Sequence, residues 1–238
     1  MRFVIMHTTN AHWESGAVPD QDLCARVGAL LGELVKAGAL EAAEGLRASA
    51  EGVRLRLSSG TRTIVNGPFA AEHELPAGFS ILRARSLDEA IDWATRDANA
   101  AGPGQVTEID IRPVTEPWDI GMASAPAGLD TRRYMVLRKA TAATEAGIPS
   151  SGSRATKRDD PRSAVHLVTE SMRPSGRGRR YVNSRNGVSM FDGPFVETKE
   201  LLAGYVIVSA GSLDEAGRLA ARYLDAVGAD QVDVRELE

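Results

Sequence analysis

The sequence predicts an α+β protein made of two copies of one unit, and three observations carry that expectation. The stretch Asp192-Gly193-Pro194-Phe195-Val196-Glu197-Thr198-Lys199-Glu200 recurs in altered form from Asn66-Gly67-Pro68-Phe69 to Glu74. Both stretches run on to the same words, Ser86-Leu87-Asp88-Glu89-Ala90 and Ser212-Leu213-Asp214-Glu215-Ala216, at a constant offset of 126 residues. Each copy orders its apolar patterns as strand, helix, several strands, helix, strand, and two helices for four or five strands is the layout of helices laid on one face of an antiparallel sheet. The 238 residues divide into a first repeat at 1–115, a linker at 116–130 and a second repeat at 131–238, each repeat of ordinary domain size.

In the first repeat, Arg2-Phe3-Val4-Ile5-Met6-His7 is an apolar run bounded by polar residues and reads as a buried strand. Asp20 is placed to cap a helix whose apolar positions Leu23, Val27, Leu30, Leu31, Leu34 and Val35 recur in steps of three and four, with Gly38 as the stop. Cys24 lies at the edge of that face, which favours packing over reactivity. Leu40 to Leu46 is a weak strand candidate. Val53 to Leu57 alternates three aliphatics with two arginines, and Thr61 to Val65 follows it up to the Asn66-Gly67-Pro68 turn, which predicts a hairpin. Gly78 to Ala84 is a further strand. Ser86 and Glu89 have the spacing of a capping box ahead of Ala90, Ile91 and Ala94, and Val106, Ile109 and Ile111 close the repeat.

The second repeat offers strands at Tyr134 to Leu137, Arg179 to Val182, Tyr205 to Val208 and Val232 to Val234, with a helix from the Ser212/Glu215 capping box through Leu224. Its first strand aligns at an offset of 131, so the second copy lacks five residues in its first helix region. Pro149 to Arg162, rich in Ser, Gly and Arg, is expected to hold a shortened or broken helix. Between the repeats the Pro/Gly/Ala segment carries Trp118 and Ile120, which suggests that it docks on a domain. A unit of this kind leaves one sheet face in need of cover, and a duplicated chain has its own second copy available.

The net charge is −4 over residues 1–115, −3 over 116–130 and +3 over 131–238. The basic excess sits in Arg154 to Arg185, a stripe that reads either as a solvated face or as an attraction for anions. Nucleic acid is an unlikely partner for an acidic chain with only five Phe, four Tyr and three Trp to stack on bases. A single cysteine excludes an intrachain disulfide, Phe3 to Met6 is too short for a signal peptide, and no run reaches membrane-span length; a soluble cytoplasmic protein is the expectation.

Asp192-Gly-Pro-Phe-x-Glu-Thr-Lys-Glu, the following Gly204-Tyr205 and the Ser-Leu-Asp-Glu-Ala helix start resemble the YCII-related family, in particular its DGPF branch, over nearly all of both copies. The resemblance implies ferredoxin-like units that pair through their sheets into a dimeric α/β barrel, here an internal pseudo-dimer, as a monomer or a homodimer. The wider superfamily includes muconolactone isomerases, small monooxygenases and a dehydrochlorinase. It implies a cavity for a small polar or anionic organic molecule, with two readings open. One is a cofactor-independent isomerase, lyase or dehydrochlorinase; the other is a non-catalytic ligand-binding or interaction module linked to sigma-factor regulation. A His-Asp pair is the proposed site in some YCII proteins, and no such pair is assigned here.

The candidate chemistry follows from the residues. Asp192 and Lys199 facing a cavity would supply a base and an anion anchor, with Glu197 beside them as a further ligand contact. Alternatively, Asp-Gly-Pro builds a tight turn, Phe195 fills the core and the charged residues solvate a loop. Asn66, Ala71 and His73 replace Asp192, Glu197 and Lys199, so ionisable side chains favour the second copy. His7, ending a central strand, is the preferred general base, with a structural role as the alternative. Arg47 and Arg173 occupy equivalent places and either clamp an anion or bridge to nearby carboxylates. Neither a metal-ligand spacing nor a phosphate loop, Rossmann fingerprint or nucleophile elbow is present, so no metal or cofactor is expected.

Overall fold

The computed structural model describes residues 1–58, 61–71, 74–100, 107–148, 164–185, 187–195 and 200–238. The first repeat contains strand β1 (Arg2–Thr8), the one-turn helix α1 (Ala11–Glu14), helix α2 (Gln21–Lys36), strands β2 (Leu40–Gly45), β3 (Val53–Ser58), β4 (Thr61–Asn66) and β5 (Pro76–Ala84), helix α3 (Leu87–Ala100) and strand β6 (Thr107–Pro113). The second contains β7 (Arg132–Lys139), the one-turn α4 (Ala142–Glu145), β8 (Val165–Ser171), β9 (Arg179–Ser184), β10 (Gly187–Asp192), β11 (Leu202–Ser209), α5 (Leu213–Val227) and β12 (Gln231–Glu236). No helix among the described residues is long and apolar enough to cross a membrane.

Local signals account for most of these boundaries. The Asp20 side chain accepts from the Leu23 amide to start α2, and Gly38 takes the left-handed φ of 66° that ends it. At α3 and α5 the caps differ from a reciprocal capping box. Ser86 and Ser212 accept from the Glu89 and Glu215 amides as expected, but the returning carboxylates bond one residue further out, to the amides of Arg85 and Gly211, each at 2.7 Å. Val35, counted on the apolar face of α2, is exposed. Pro149 to Arg162 lies outside the described residues.

The strands form two six-stranded antiparallel sheets, ordered β10-β9-β12-β1-β11-β2 and β4-β3-β6-β7-β5-β8. The α+β class therefore stands. Neither sheet is the property of one repeat. Strand β1 pairs on one side with β11, Phe3 opposite Val208, and on the other with β12, Ile5 opposite Val234, so its neighbours both come from the second repeat. Strand β7 is placed likewise between β5 and β6 of the first repeat. The chain accordingly divides into a unit of residues 1–45, 71–74 and 172–238 and a unit of residues 46–70 and 75–171. Within each, the four strands β12-β1-β11-β2 or β6-β7-β5-β8 have the ferredoxin-like order, one βαβ half drawn from each repeat.

Each unit has its own core between sheet and helix. In the first unit, Phe3 and Ile5 meet Leu30 and Leu34 of α2, Val206 and Val208 of β11, and Tyr223 and Leu224 of α5. In the second, Val53, Leu55, Ile109, Ile111 and Val136 pack with Leu82 and with Ala90, Ile91 and Ala94 of α3. Aliphatic strand residues alternate with polar ones, so the opposite sheet face receives the arginines that the sequence pattern set apart.

Those arginines explain the repeated Gly-Pro-Phe turn. Arg54, 2% exposed, donates from Nε and Nη2 to the two Asp110 oxygens at 2.7 and 2.9 Å, while its guanidinium lies 4.6 Å from the Phe69 ring centre. Arg180 does the same with Asp233, at 2.7 Å for both bonds, and lies 4.8 Å from the Phe195 ring. A Cβ on Gly67 or Gly193 would sit 1.8 Å from the Ser49 or Ser175 carbonyl oxygen, so only glycine fits there. Both Gly-Pro bonds are cis. Glycine and phenylalanine are thus what the turn and the arginine need, while the preceding residue differs between the copies, Asn66 in one and Asp192 in the other.

Removing one partner of such a buried pair strands the other. Arg54→Met is expected to cost roughly 3 kcal/mol of unfolding free energy, and Arg54→Met with Asp110→Leu much less. Urea unfolding of both variants measures the difference; equal losses would contradict it.

Candidate functional site

Of the residues singled out from the sequence, His7, Arg173 and Asp192 belong to the first unit and Arg47 to the second. Asp192 ends β10 with its side chain 69% exposed, and its Oδ1 accepts from Arg179 Nε at 2.8 Å. Arg179 also donates from Nη1 to Asp214, and these two carboxylates hold its proton still more firmly than usual. Asp192 is therefore an exposed ion-pair member at a structural turn. Glu197, Lys199 and His73 lie outside the described residues.

Arg47 and Arg173 belong to different units, and each is engaged by carboxylates of its own. Arg47 Nε donates to both Glu51 oxygens at 2.8 and 2.9 Å, with Asp119 at 3.8 Å from Nη1, and the bond to Glu51 raises its pKa. Arg173 Nε lies 3.3 Å from Glu236 Oε1, an ion pair without a hydrogen bond. Of the two readings of this pair, bridging to carboxylates is the one seen. Part of the basic stripe is likewise neutralised, by Glu236 at Arg177, Asp192 and Asp214 at Arg179, and Asp233 at Arg180.

His7 follows the parity of Phe3 and Ile5, so its ring turns towards the helix layer instead of the opposite sheet face, where the cavity was expected. Its Nδ1 is 3.0 Å from the Tyr223 hydroxyl of α5, the rings meeting edge to face at 5.4 Å. It passes over Gly204, where a Cβ would come within 2.7 Å of its Cε1. Although the residue keeps some exposed surface, desolvation of the ring lowers its pKa to about 4, and burial raises that of Tyr223. A neutral imidazole with so low a pKa is a weak base at neutral pH.

The equivalent place in the second unit is chemically different. The offset of 131 puts Arg138 where His7 stands, and offsets of 126 put Ser80, Thr169, His166 and Asp97 where Val206, Ala43, Leu40 and Tyr223 stand. Arg138 is 6% exposed and passes over Gly78, where a Cβ would meet its Nη2 at 2.9 Å. Its Nη1 donates to Ser80 Oγ at 3.2 Å; Ser80 Oγ and Thr169 Oγ1 are 2.7 Å apart; Thr169 Oγ1 is 2.7 Å from His166 Nε2. His166 stacks on Trp93 of α3 at 5.7 Å.

Because a guanidinium only donates, the run that satisfies every atom goes from Arg138 through the two hydroxyls to an unprotonated His166 Nε2. Burial lowers the pKa of His166, in keeping with a neutral ring, although Asp97 opposes the shift. Burial also lowers that of Arg138, and its Nε, buried, has no hydrogen-bond partner. A buried guanidinium N–H without an acceptor is a costly arrangement. Among the described residues Arg173 Nε is a second buried guanidinium N–H without a hydrogen-bond partner.

The fold and this paired geometry bear on relationship as follows. The model of the YCII-related domain matches the chain twice, over residues 1–115 and 133–236. The chain belongs to the YCII-related family. An uncharacterised protein of Rhizobium meliloti (strain 1021) is 33% identical to this YCII-related chain over 95 residues, 40% of the chain and 75% of the relative. No solved structure matches it.

Sequence reasoning about this YCII-related protein found His7 and passed over Arg138. The signal was present: the two are aligned by the repeat, and Ser80 and Thr169 replace an apolar pair beside it. Arg138 was hidden by its position next to Lys139 at a strand end, where two adjacent cations read as solvated.

The low pKa of His7 fixes a sign. The unfolded state, with a pKa near 6.5, binds the proton more readily than the folded state at about 4, so this group destabilises the fold as pH falls from 6.5 to 4. Wild type is expected to lose on the order of 3 kcal/mol more than His7→Gln over that interval. Denaturant unfolding of both proteins between those pH values checks it, and parallel curves would contradict it.

Proposed function

We propose that this YCII-related chain binds a small polar or anionic organic molecule, and that the molecule is taken by the second unit at Arg138. The observation that carries this reading is the buried Arg138 Nε with no acceptor, beside a row of hydroxyls that the first unit fills with Val206 and Ala43. A protein that keeps such a group unsatisfied when empty has a use for it when filled. Binding is favoured over proton transfer by the residues first selected as bases, since Asp192 is an exposed ion-pair member and His7 a neutral ring bonded to Tyr223.

Cofactor-independent proton transfer remains as a second reading, on the observation that a neutral His166 is joined to a guanidinium through two hydroxyls. In that arrangement His166 Nε2, released by the Thr169 hydroxyl, takes a proton from carbon and returns it to carbon of the enolate, whose oxygen Arg138 steadies meanwhile. Hydrogen–deuterium exchange at carbon in bound ligands separates the two readings: its absence supports binding alone, and exchange that His166→Gln abolishes supports chemistry.

Native mass spectrometry for a copurified molecule and thermal shifts with small anions and their neutral analogues test the proposal. Anions are expected to raise the melting temperature of wild type and not of Arg138→Met. Without ligand, Arg138→Met is expected to melt at or above wild type, because it removes a buried charge that lacks a full set of partners. A stabilising set of ligands unchanged by Arg138→Met would move the site elsewhere.

A further inference from the structure

The chain contains its own standard for what a guanidinium does with the edge formed by Nε and Nη2. Arg54, Arg180 and Arg133 each present that edge to a carboxylate, of Asp110, Asp233 and Glu116, with one N–H to each oxygen at 2.7 to 2.9 Å. Arg112 and Arg235 present it to a single backbone oxygen, of Arg47 and Arg173. Arg138 is as buried as these, yet its Nε meets no acceptor and its Nη2 reaches only the Glu170 carbonyl, at a long 3.4 Å. Its Nη1 is already committed to Ser80.

We infer that the Nε/Nη2 edge of Arg138 seats the carboxylate of a small monocarboxylate ligand, one per chain. This rests on the reading of the second unit as the ligand-binding one. Three features select a carboxylate. The edge is a pair of parallel donors, Nε unfilled and Nη2 holding only the long bond to the Glu170 carbonyl, and a planar two-oxygen group fits such a pair, as carboxylates do elsewhere in the chain. The neighbouring hydroxyls of Ser80 and Thr169 are directed along the row to His166, so they offer no further donors of the kind a tetrahedral phosphate needs. Asp97 already places negative charge in the field of Arg138, which favours an incoming group of one charge over one of two. Stoichiometry follows from the equivalent place in the first unit, where His7 is bonded to Tyr223 and Val206 faces Ala43, leaving no donor edge there among the described residues.

The test uses the full chain labelled with nitrogen-15 and follows the arginine side-chain Nε–Hε resonances during titration. Acetate and benzoate are the carboxylates, phosphate and sulfate the other anions, and benzamide the neutral counterpart of benzoate. The expected result is a saturable shift of one arginine resonance by the carboxylates, at one per chain, that is missing in Arg138→Met and not reproduced by benzamide. Arg138→Lys keeps the charge and loses the fork, and is expected to weaken binding roughly ten-fold or more. Ser80→Val, which installs the residue of the first unit, is expected to weaken it too and carries the test should Arg138→Met fail to fold. Saturation by phosphate or sulfate alone overturns the carboxylate and leaves anion binding at the second unit standing. Saturation by no anion overturns both, and a carboxylate shift that persists in every variant overturns the assignment to Arg138.

Discussion

Strand β1 has both of its hydrogen-bonding edges satisfied by the opposite repeat, and the remainder of the architecture follows from that constraint. A central strand carries a row of amides and carbonyls on each side, and burying them without partners is prohibitive. β11 and β12 supply those partners for β1, and β5 and β6 supply them for β7. The ends are tied in the same way, Ala210 donating to the Met1 carbonyl and Leu237 to that of Arg2, at 2.9 and 3.0 Å. Each hydrophobic core therefore needs residues from both halves of the sequence, which makes the duplication a condition of folding and not two domains in series.

Upon that frame the arginine pairs fix the turns. A guanidinium held edge-on by a carboxylate and face-on by an aromatic ring has little freedom left, and the turn that delivers the ring needs glycine where the backbone approaches Ser49 or Ser175. The Gly-Pro-Phe part of the repeated motif serves this structural contact in both copies. The two copies differ where the strand-end side chain crosses a glycine. There one unit has closed around a neutral His7–Tyr223 contact, and the other keeps a charged, hydroxyl-lined row. The asymmetry of these residues fits the proposal that the second unit binds a ligand and the first does not.

Much of the fold was legible in the sequence because it is local. Caps at Asp20 and Ser212, the stop at Gly38, the alternation of Val53 to Leu57 and the constant offset placed most elements within a residue or two. Strand β8 was missed because Val165, Leu167 and Val168 are exposed apolar residues in a run with no clean alternation, and β10 because its residues are exposed on both faces. The exchange of strands between repeats was not visible, since each half presents the same pattern whether it pairs with itself or with its twin. His7 was noticed for its residue type, but its direction depended on which strand face the helices cover. Arg138 became conspicuous only when the bonds of its edge were compared with those of Arg54 and Arg180.

The dependence of each core on both repeats can be measured in the intact chain by placing a protease site within residues 121–128, which are exposed, and cutting there. The two fragments are expected to stay together through gel filtration and native mass spectrometry and to unfold in one shared transition. Fragments that separate after the cut and melt independently would contradict the exchange of strands on which this description of the molecule rests.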